Sequence, residues 1–188
     1  MKQYILPAIR LTIVCIIFFA GIYTVAILGI AQAAPNKGQG ETISVKGKLV
    51  GYALEGQNFT HDKYFWSRPS AGGYNAAGSA GSNKGTTNPD YLKIVQGRID
   101  SFVVHNPGVD KAAIPAELVT ASGSGLDPDL SPAAAKVQVK RIAAVRKINE
   151  DKINALVEQN TKQAFLGLFG TSKVNVLKLN IALDALTD

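Results

Sequence analysis

The strongest constraint on this chain lies between Leu11 and Ala34, where no charged residue occurs and the stretch LTIVCIIFFAGIYTVAILGI is almost wholly apolar. At ~1.5 Å of rise per residue, a helix of that length crosses a hydrocarbon core of ~30 Å. The reading is a tail over 1–10, a membrane-spanning helix over 11–32 and a soluble domain over 33–188. Lys2 and Arg10 sit on the short N-terminal side, so the positive-inside rule predicts a cytoplasmic N-terminus and an extracytoplasmic bulk. That places the chain in the cell's inner membrane as a single-pass protein. The competing reading is a cleaved secretory signal with AQAAP as its small-residue cleavage site, but the apolar run exceeds the ~7–15 residues of a signal core. Cys15 is preceded by Thr12-Ile13-Val14 rather than by small residues, which argues against a lipidation site.

Because Cys15 is the one cysteine and lies in the apolar run, the outer domain has no disulfide and depends on its core. Residues 33–188 are enough for one such core, burying roughly 70% of the unfolded surface. The formal charge of +6 includes Lys2 and Arg10. The outer part is therefore only mildly basic, and a nucleic-acid partner is not expected.

Along the outer part, ETISVKGKLVGYAL predicts one or two short strands broken at Gly47. KYFWSRPSAGGYNAAGSAGSNKGTTNPDY has neither a 2.0 nor a 3.6 period and reads as one long loop. Loops beyond about 12–15 residues are functional or disordered, and the aromatics Tyr64, Phe65, Trp66 and Tyr74 argue for order. Asn88-Pro89 starts a helix carrying Tyr91, Ile94, Val95, Ile99 and Phe102 on one face, which ends near Asn106-Pro107-Gly108. Ser131 is placed as an N-cap with Pro132 as the first helical residue, Ala135, Val139, Ile142 and Ala143 facing the core. Asn149-Glu150-Asp151 caps a further helix with Ile153, Leu156 and Val157 inside, ending by Gly167 or Gly170. VNVLKLNIALDAL alternates through Leu177, Leu179, Ile181 and Leu183, the pattern of a half-buried strand. The fold class predicted is α+β: one N-terminal transmembrane helix followed by a single mixed extracytoplasmic domain.

Enzymatic signatures fail on spacing. His61 and His105 are far apart in dissimilar contexts, which leaves few candidates for a histidine metal site or a Ser-His-Asp triad. Ser122-Gly123-Ser124-Gly125 lacks the G-x-S-x-G spacing of a nucleophile elbow. GSAGSNKGTT places Gly85 after Lys84, where a phosphate-binding loop needs Ser or Thr. The turn at Asp127-Pro128-Asp129 and the helix start beyond it can be a self-capped junction or a binding loop, with Ser122, Ser124 and Asp127 as its polar candidates. Gln138 and Arg141, three apart, are expected on a side distinct from the core stripe and are the better candidates for a bound ligand or partner.

YFWSRPSA (64–71), Tyr74-Asn75, GSNKGTTNP (81–89), VTASGSGLDPDLSPAAA (119–135), Gln138-Val139 with Arg141, and VNVLKLNIALD (174–184) together resemble the C subunit of the Kdp potassium-transporting ATPase of bacteria and archaea. The resemblance covers nearly the whole chain, the single span included. It departs at Lys84, where the family usually has Leu, at Asp129-Leu130 in place of His-Ile, and at Thr171-Ser172-Lys173 in place of Glu-Pro-Arg. What it implies is an accessory, non-catalytic subunit of an ATP-driven potassium uptake complex. Its partners would be a channel-like potassium-binding subunit, a P-type ATPase subunit and a small membrane subunit, with potassium as the ion moved by the complex.

The family is described as a catalytic chaperone that raises the ATP affinity of the ATPase subunit. On that reading ATP acts through the ATPase subunit or through a nucleotide site on this chain, with Ser122, Ser124, Asp127, Gln138 and Arg141 as contacts. An outward-facing domain would not meet cytoplasmic ATP, so direct contact requires the opposite orientation or a site visible only in vitro. The candidate interface anchors are Tyr64, Trp66, Arg68, Tyr74 and Asn75, of which Trp66, Tyr64 and Arg68 are of the types that dominate interface energy. The alternative from another class is a freestanding membrane-anchored module that binds a small ligand in the glycine-rich loop.

Overall fold

A computed structural model describes residues 2–186. The chain divides into two units at Glu41/Thr42. The first contains a helix that runs Gln3–Ala33, whose most apolar stretch has a mean hydropathy of 2.7 and no buried residue, long and apolar enough to cross a membrane. It comprises α1 (Lys2–Cys15), a π-helical stretch (Ile16–Tyr23) and α2 (Thr24–Ala33). The helix extends to the N-terminal side of Leu11, through Pro7 and Arg10.

The second unit opens with a hairpin, β1 (Thr42–Val45) and β2 (Lys48–Tyr52), paired antiparallel. Lys46 and Gly47 connect the strands with φ of 50° and 77°. Two positive values are what a two-residue type I′ turn needs, and Gly47 supplies one of them without a Cβ penalty. The break foreseen at Gly47 is this turn.

From Ala53 to Asn88 no regular element forms, as the absence of periodicity indicated. Helix α3 (Pro89–His105) then begins where expected: the Asn88 side chain accepts from Tyr91 N at 3.0 Å, and Pro89 occupies the first turn, where no N–H is required. Of its apolar face, Phe102 is the residue that enters the core.

The helix that starts at Pro132 is interrupted. α4 (Pro132–Lys136) stops, and α5 (Val139–Arg146) begins after Gln138. Gln138 N bonds to Ala135 O, a tighter turn than the α-helical one, while its side chain reaches Ala134 O. Ser131 is the N-cap, accepting from Ala134 N, and Ala135, Val139, Ile142 and Ala143 are buried. Lys147 closes α5 in the left-handed region, and Asn149 caps α6 (Glu150–Gln159), which buries Ile153, Leu156 and Val157. α6 ends before the glycines at 167 and 170.

The C-terminal segment departs from the strand expected there. Only Lys173–Asn175 is extended (β5), sandwiched between β3 (Asp129–Leu130) and β4 (Thr161–Lys162) in an antiparallel three-stranded sheet ordered β3-β5-β4. Asn175 then accepts from Lys178 N at 3.0 Å and starts α7 (Val176–Ala185). Val176, Leu179, Asn180 and Leu183 are buried at spacings of three, four and seven, the stripe of a helix. The alternation of Leu177, Leu179, Ile181 and Leu183 fits a strand equally well on paper; the Asn175 cap and partner strands only two residues long decide for the helix.

α6 packs against α4, α5 and α7, and the core between them contains Leu130, Ile142, Ile153, Val157, Leu179 and Leu183. Phe65, at 0% exposure, is plugged into this core from the irregular segment. The fold of the described residues is thus α+β, with one helix long and apolar enough to span a membrane and one small sheet-containing domain.

Candidate functional site

An irregular segment can bury an aromatic side chain only if its backbone polar groups find partners. At Phe65 and Trp66 those partners are side-chain amides. Asn180 on α7 accepts from Phe65 N at 2.9 Å and donates to Phe65 O at 3.0 Å. Gln138 accepts from Trp66 N at 2.8 Å and donates to Trp66 O at 3.3 Å. Two amides on different elements therefore replace the neighbouring strand that this segment lacks.

Arg141 completes the clamp. It is 4% exposed, donating through Nε to Asn106 Oδ1 at 2.9 Å, through Nη2 to Gln138 Oε1 at 2.8 Å, and through Nη1 to Tyr64 O at 3.0 Å and to Asp62 O. Its guanidinium carbon lies 4.6 Å from the centre of the Trp66 ring. Burial pulls its pKa down to about 10, against the attraction of the Asp62 carboxylate at 3.9 Å, so it remains a cation at neutral pH. Asn106 in turn donates to Phe102 O, tying the network to the end of α3.

Gln138 and Arg141 do share a side, but it is an inner one. The expectation that this side is distinct from the core is corrected here: both are buried, and their polar atoms are occupied by the 62–66 main chain, Asn106 and each other. Positions 138 and 141 lie one residue away from Val139 and Ile142, and only the interruption at Gln138 turns them toward the irregular segment.

Around this clamp the predicted anchors form two groups. Tyr64 donates to Asp184 Oδ2 at 3.0 Å, beside Arg146, which pairs with Asp184 at 2.5 Å and lies 5.0 Å from the Tyr64 ring centre. Desolvation, then the hydrogen bond to Asp184, raises the Tyr64 pKa. Trp66 is half-buried, donates to His61 O at 3.2 Å and meets Phe102 and His105 edge-on.

In the second group Arg68 pairs with Asp127 at 3.2 Å, while Tyr74 donates to Arg68 O at 2.7 Å. Burial raises the Tyr74 pKa, opposed by Arg98. Asn75 is exposed and accepts from Ala77 N within its own turn.

The glycine-rich loop and the 122–127 turn meet backbone to backbone. Ala80 N donates to Ser124 O at 3.0 Å, and Ser122 N to Pro69 O at 3.0 Å. A Cβ on Gly125, whose φ is +70°, would lie 2.6 Å from Ala80 O, and one on Gly81 would lie 2.8 Å from Gly123 O. Ser122, Ser124 and Asp127 each accept from a nearby main-chain N–H, of Gly125, Leu126 and Asp129 respectively. These contacts within the turn are those of a self-capped junction.

One cleft open to solvent, of about 540 Å³, lies between this irregular face and α3 and is walled by Trp66, Tyr74, Ile94, Arg98 and His105. Arg98 donates to Val119 O at 3.0 Å, and His105 Nδ1 lies 2.8 Å from Asp62 Oδ1. Of the sequence-predicted residues, Trp66 and Tyr74 line it; Ser122, Ser124, Asp127, Gln138 and Arg141 do not. Among the described residues no group of His, Cys, Asp and Glu is placed to hold a metal ion. Sequence reasoning missed Asn180, Asn106 and Asp62. A helical rather than a strand period over 176–183 would have put Asn180 on the buried stripe.

Among the described residues the architecture is a single helix long and apolar enough to cross a membrane, followed by a small α+β domain. Comparison with known proteins gives this architecture its family. The model of the K+-transporting ATPase c chain (KdpC) matches residues 5–185. The chain is 58% identical over 182 residues to the potassium-transporting ATPase KdpC subunit of Flavobacterium psychrophilum, covering 97% of this chain and 98% of the other. It is 50% identical over 185 residues to that of Bacteroides fragilis, covering 97% of each. The chain belongs to the family of KdpC subunits of the potassium-transporting ATPase.

Proposed function

We propose that this chain is an accessory, non-catalytic subunit of the high-affinity ATP-driven potassium uptake complex. It is held by its span beside a channel-like potassium-binding subunit, a P-type ATPase subunit and a small membrane subunit, and it stabilises their assembly. The observation that carries this reading is the inward use of the polar candidates. Gln138, Arg141, Ser122 and Asp127 serve to fix the irregular face, which makes that face a rigid surface for contact.

Lys2 and Arg10 orient the span with the N-terminus in the cytoplasm and the domain outside. Potassium is then the ion moved by the partner subunits. ATP use by the ATPase subunit is promoted through contact and assembly, without a nucleotide held by Gln138 and Arg141.

Rigid aromatic and arginine side chains are the types that dominate interface energy, and Trp66, Tyr74 and Arg98 line one cleft. The test is purification of the tagged chain in mild detergent from potassium-starved membranes. Co-purification of a P-type ATPase and a channel-like subunit supports the accessory role; a chain that comes out alone, with a small ligand bound in the cleft, supports the freestanding module instead. Arg68→Ala, which removes the pair with Asp127 at a position 28% exposed, is expected to lower the yield of the complex. Normal yield from a folded Arg68→Ala protein would count against this face as the contact surface.

A further inference from the structure

Between β4 and β5 the chain forms a hairpin whose tip is apolar and outward. Phe165 is 70% exposed, Leu166 74%, Leu168 81% and Phe169 64%. Phe165 and Phe169 exchange two main-chain hydrogen bonds of 2.9 Å, and their rings lie 6.4 Å apart. Leu166 and Gly167 turn the chain at φ of 54° and 70°. This tip is a built structure, because the turn is closed by the Phe165–Phe169 bridge and its neck by Ser172 Oγ donating to Gln163 Oε1 at 2.7 Å.

The geometry points to this tip as a second membrane contact, one that dips Phe165, Leu166, Leu168 and Phe169 into the interface of an anionic phospholipid bilayer. Two observations select lipid as the occupant. First, the neck of the hairpin carries two lysines as direct cross-strand partners, Lys162 and Lys173, and the segment from 161 to 175 has no acidic residue. Apolar side chains beyond a cationic neck match the layering of an acyl region beneath anionic headgroups. Lys173 is shared with Asp129 at 2.5 Å, which leaves the exposed Lys162 as the principal headgroup partner.

Second, the chain brings its own bilayer. Ala33 ends the helix able to span a membrane and Thr42 begins the hairpin of the domain. At no more than ~3.6 Å per residue, the chain between them keeps Thr42 within roughly 30 Å of the helix end. Tethering makes the second contact intramolecular, so a tip with too little apolar surface to bind membranes alone suffices. The inference holds for either orientation of the span and is independent of which subunits assemble with the chain.

The test uses the full chain with Cys15→Ser, reconstituted in phosphatidylcholine vesicles with or without phosphatidylglycerol. A polarity-sensitive fluorophore is placed on Leu168→Cys or, as control, on Val104→Cys, which is 77% exposed on α3. Lipids spin-labelled on the acyl chain are expected to quench the probe at 168 several-fold more than the probe at 104, and more strongly with phosphatidylglycerol present. Lys162→Gln is expected to reduce the insertion equilibrium about fivefold in the anionic vesicles, the effect of one lysine near such a surface. Equal quenching at 168 and 104 overturns the proposal. So does protection of the 168 probe from an aqueous quencher by added partner subunits without acyl-chain quenching, because the tip would then dock on protein.

Discussion

Asn180 on α7 and Gln138 at the start of α5 grip consecutive residues of one strandless segment, each amide exchanging two hydrogen bonds with the main chain, of Phe65 and Trp66 respectively. A β-ladder would satisfy these groups with backbone. Here the helices do it with side chains, so the placement of Phe65 and Trp66 depends on two residues.

Truncating either amide strands a buried donor and a buried acceptor. Gln138→Ala and Asn180→Ala are each expected to cost about 1–3 kcal/mol, in the range for unsatisfied buried polar groups. Chemical denaturation of the full chain in detergent reads this directly. A loss below the measurement error would mean that water replaces the amide and that the clamp is dispensable.

Arg141 has a stricter requirement, since its planar fork reaches Asn106, Gln138 and the Tyr64 carbonyl at once. Lysine carries the charge without the fork. Arg141→Lys is therefore expected to recover little of the loss in Arg141→Ala, a loss of about 3 kcal/mol or more because several buried acceptors lose their donor together. Thermal unfolding of the two variants side by side checks it; full rescue by lysine would reduce the site to a charge.

The tyrosines set an alkaline limit. Burial raises the Tyr74 pKa above its ordinary value near 10, so the folded state favours the neutral phenol. The unfolded state loses its proton first. Stability from this group is fully present below pH ~10 and is lost as pH rises through the raised folded value. Tyr74→Phe is expected to flatten that fall in a pH series of unfolding midpoints, and an unchanged alkaline slope would assign it elsewhere.

Close approach of the two loops makes one glycine intolerant and another not. Gly125→Ala puts a Cβ 2.6 Å from Ala80 O at positive φ, whereas Gly73, also at positive φ, faces open space. Gly73→Ala is expected to cost about 1–2 kcal/mol from the left-handed backbone alone. Gly125→Ala should cost more, because the loops must also part; equal costs in matched denaturation curves would refute the packing argument.

How far the sequence carried this reading depends on whether the signal was local. Asn88-Pro89, Ser131-Pro132 and Asn149 are caps whose chemistry acts within one turn, and each starts its helix as read. Gly47 likewise marks the hairpin. The segment 174–184 went wrong because its leucines fit periods of 2 and 3.6 together, and the arbiter, Asn175, is a cap whose effect needs a helix to exist. Burial of Gln138 and Arg141 was illegible for a different reason. It depends on Phe65 and Trp66, some seventy residues away in a segment with no period, and nothing local to α5 records that partner. The exposed tip at 165–169 was illegible because the helix capped at Asn149 is read as ending by Gly167 or Gly170, whereas it ends at Gln159.

The most direct measurement of the central claim is potassium-stimulated ATP hydrolysis by the partner subunits, purified with and without this chain and compared over a range of ATP concentrations. An accessory role predicts a stable complex and higher activity at low ATP when the chain is present, with that gain retained in Ser124→Ala, whose hydroxyl serves only its own turn. Equal assembly and equal activity at every ATP concentration without the chain would contradict it.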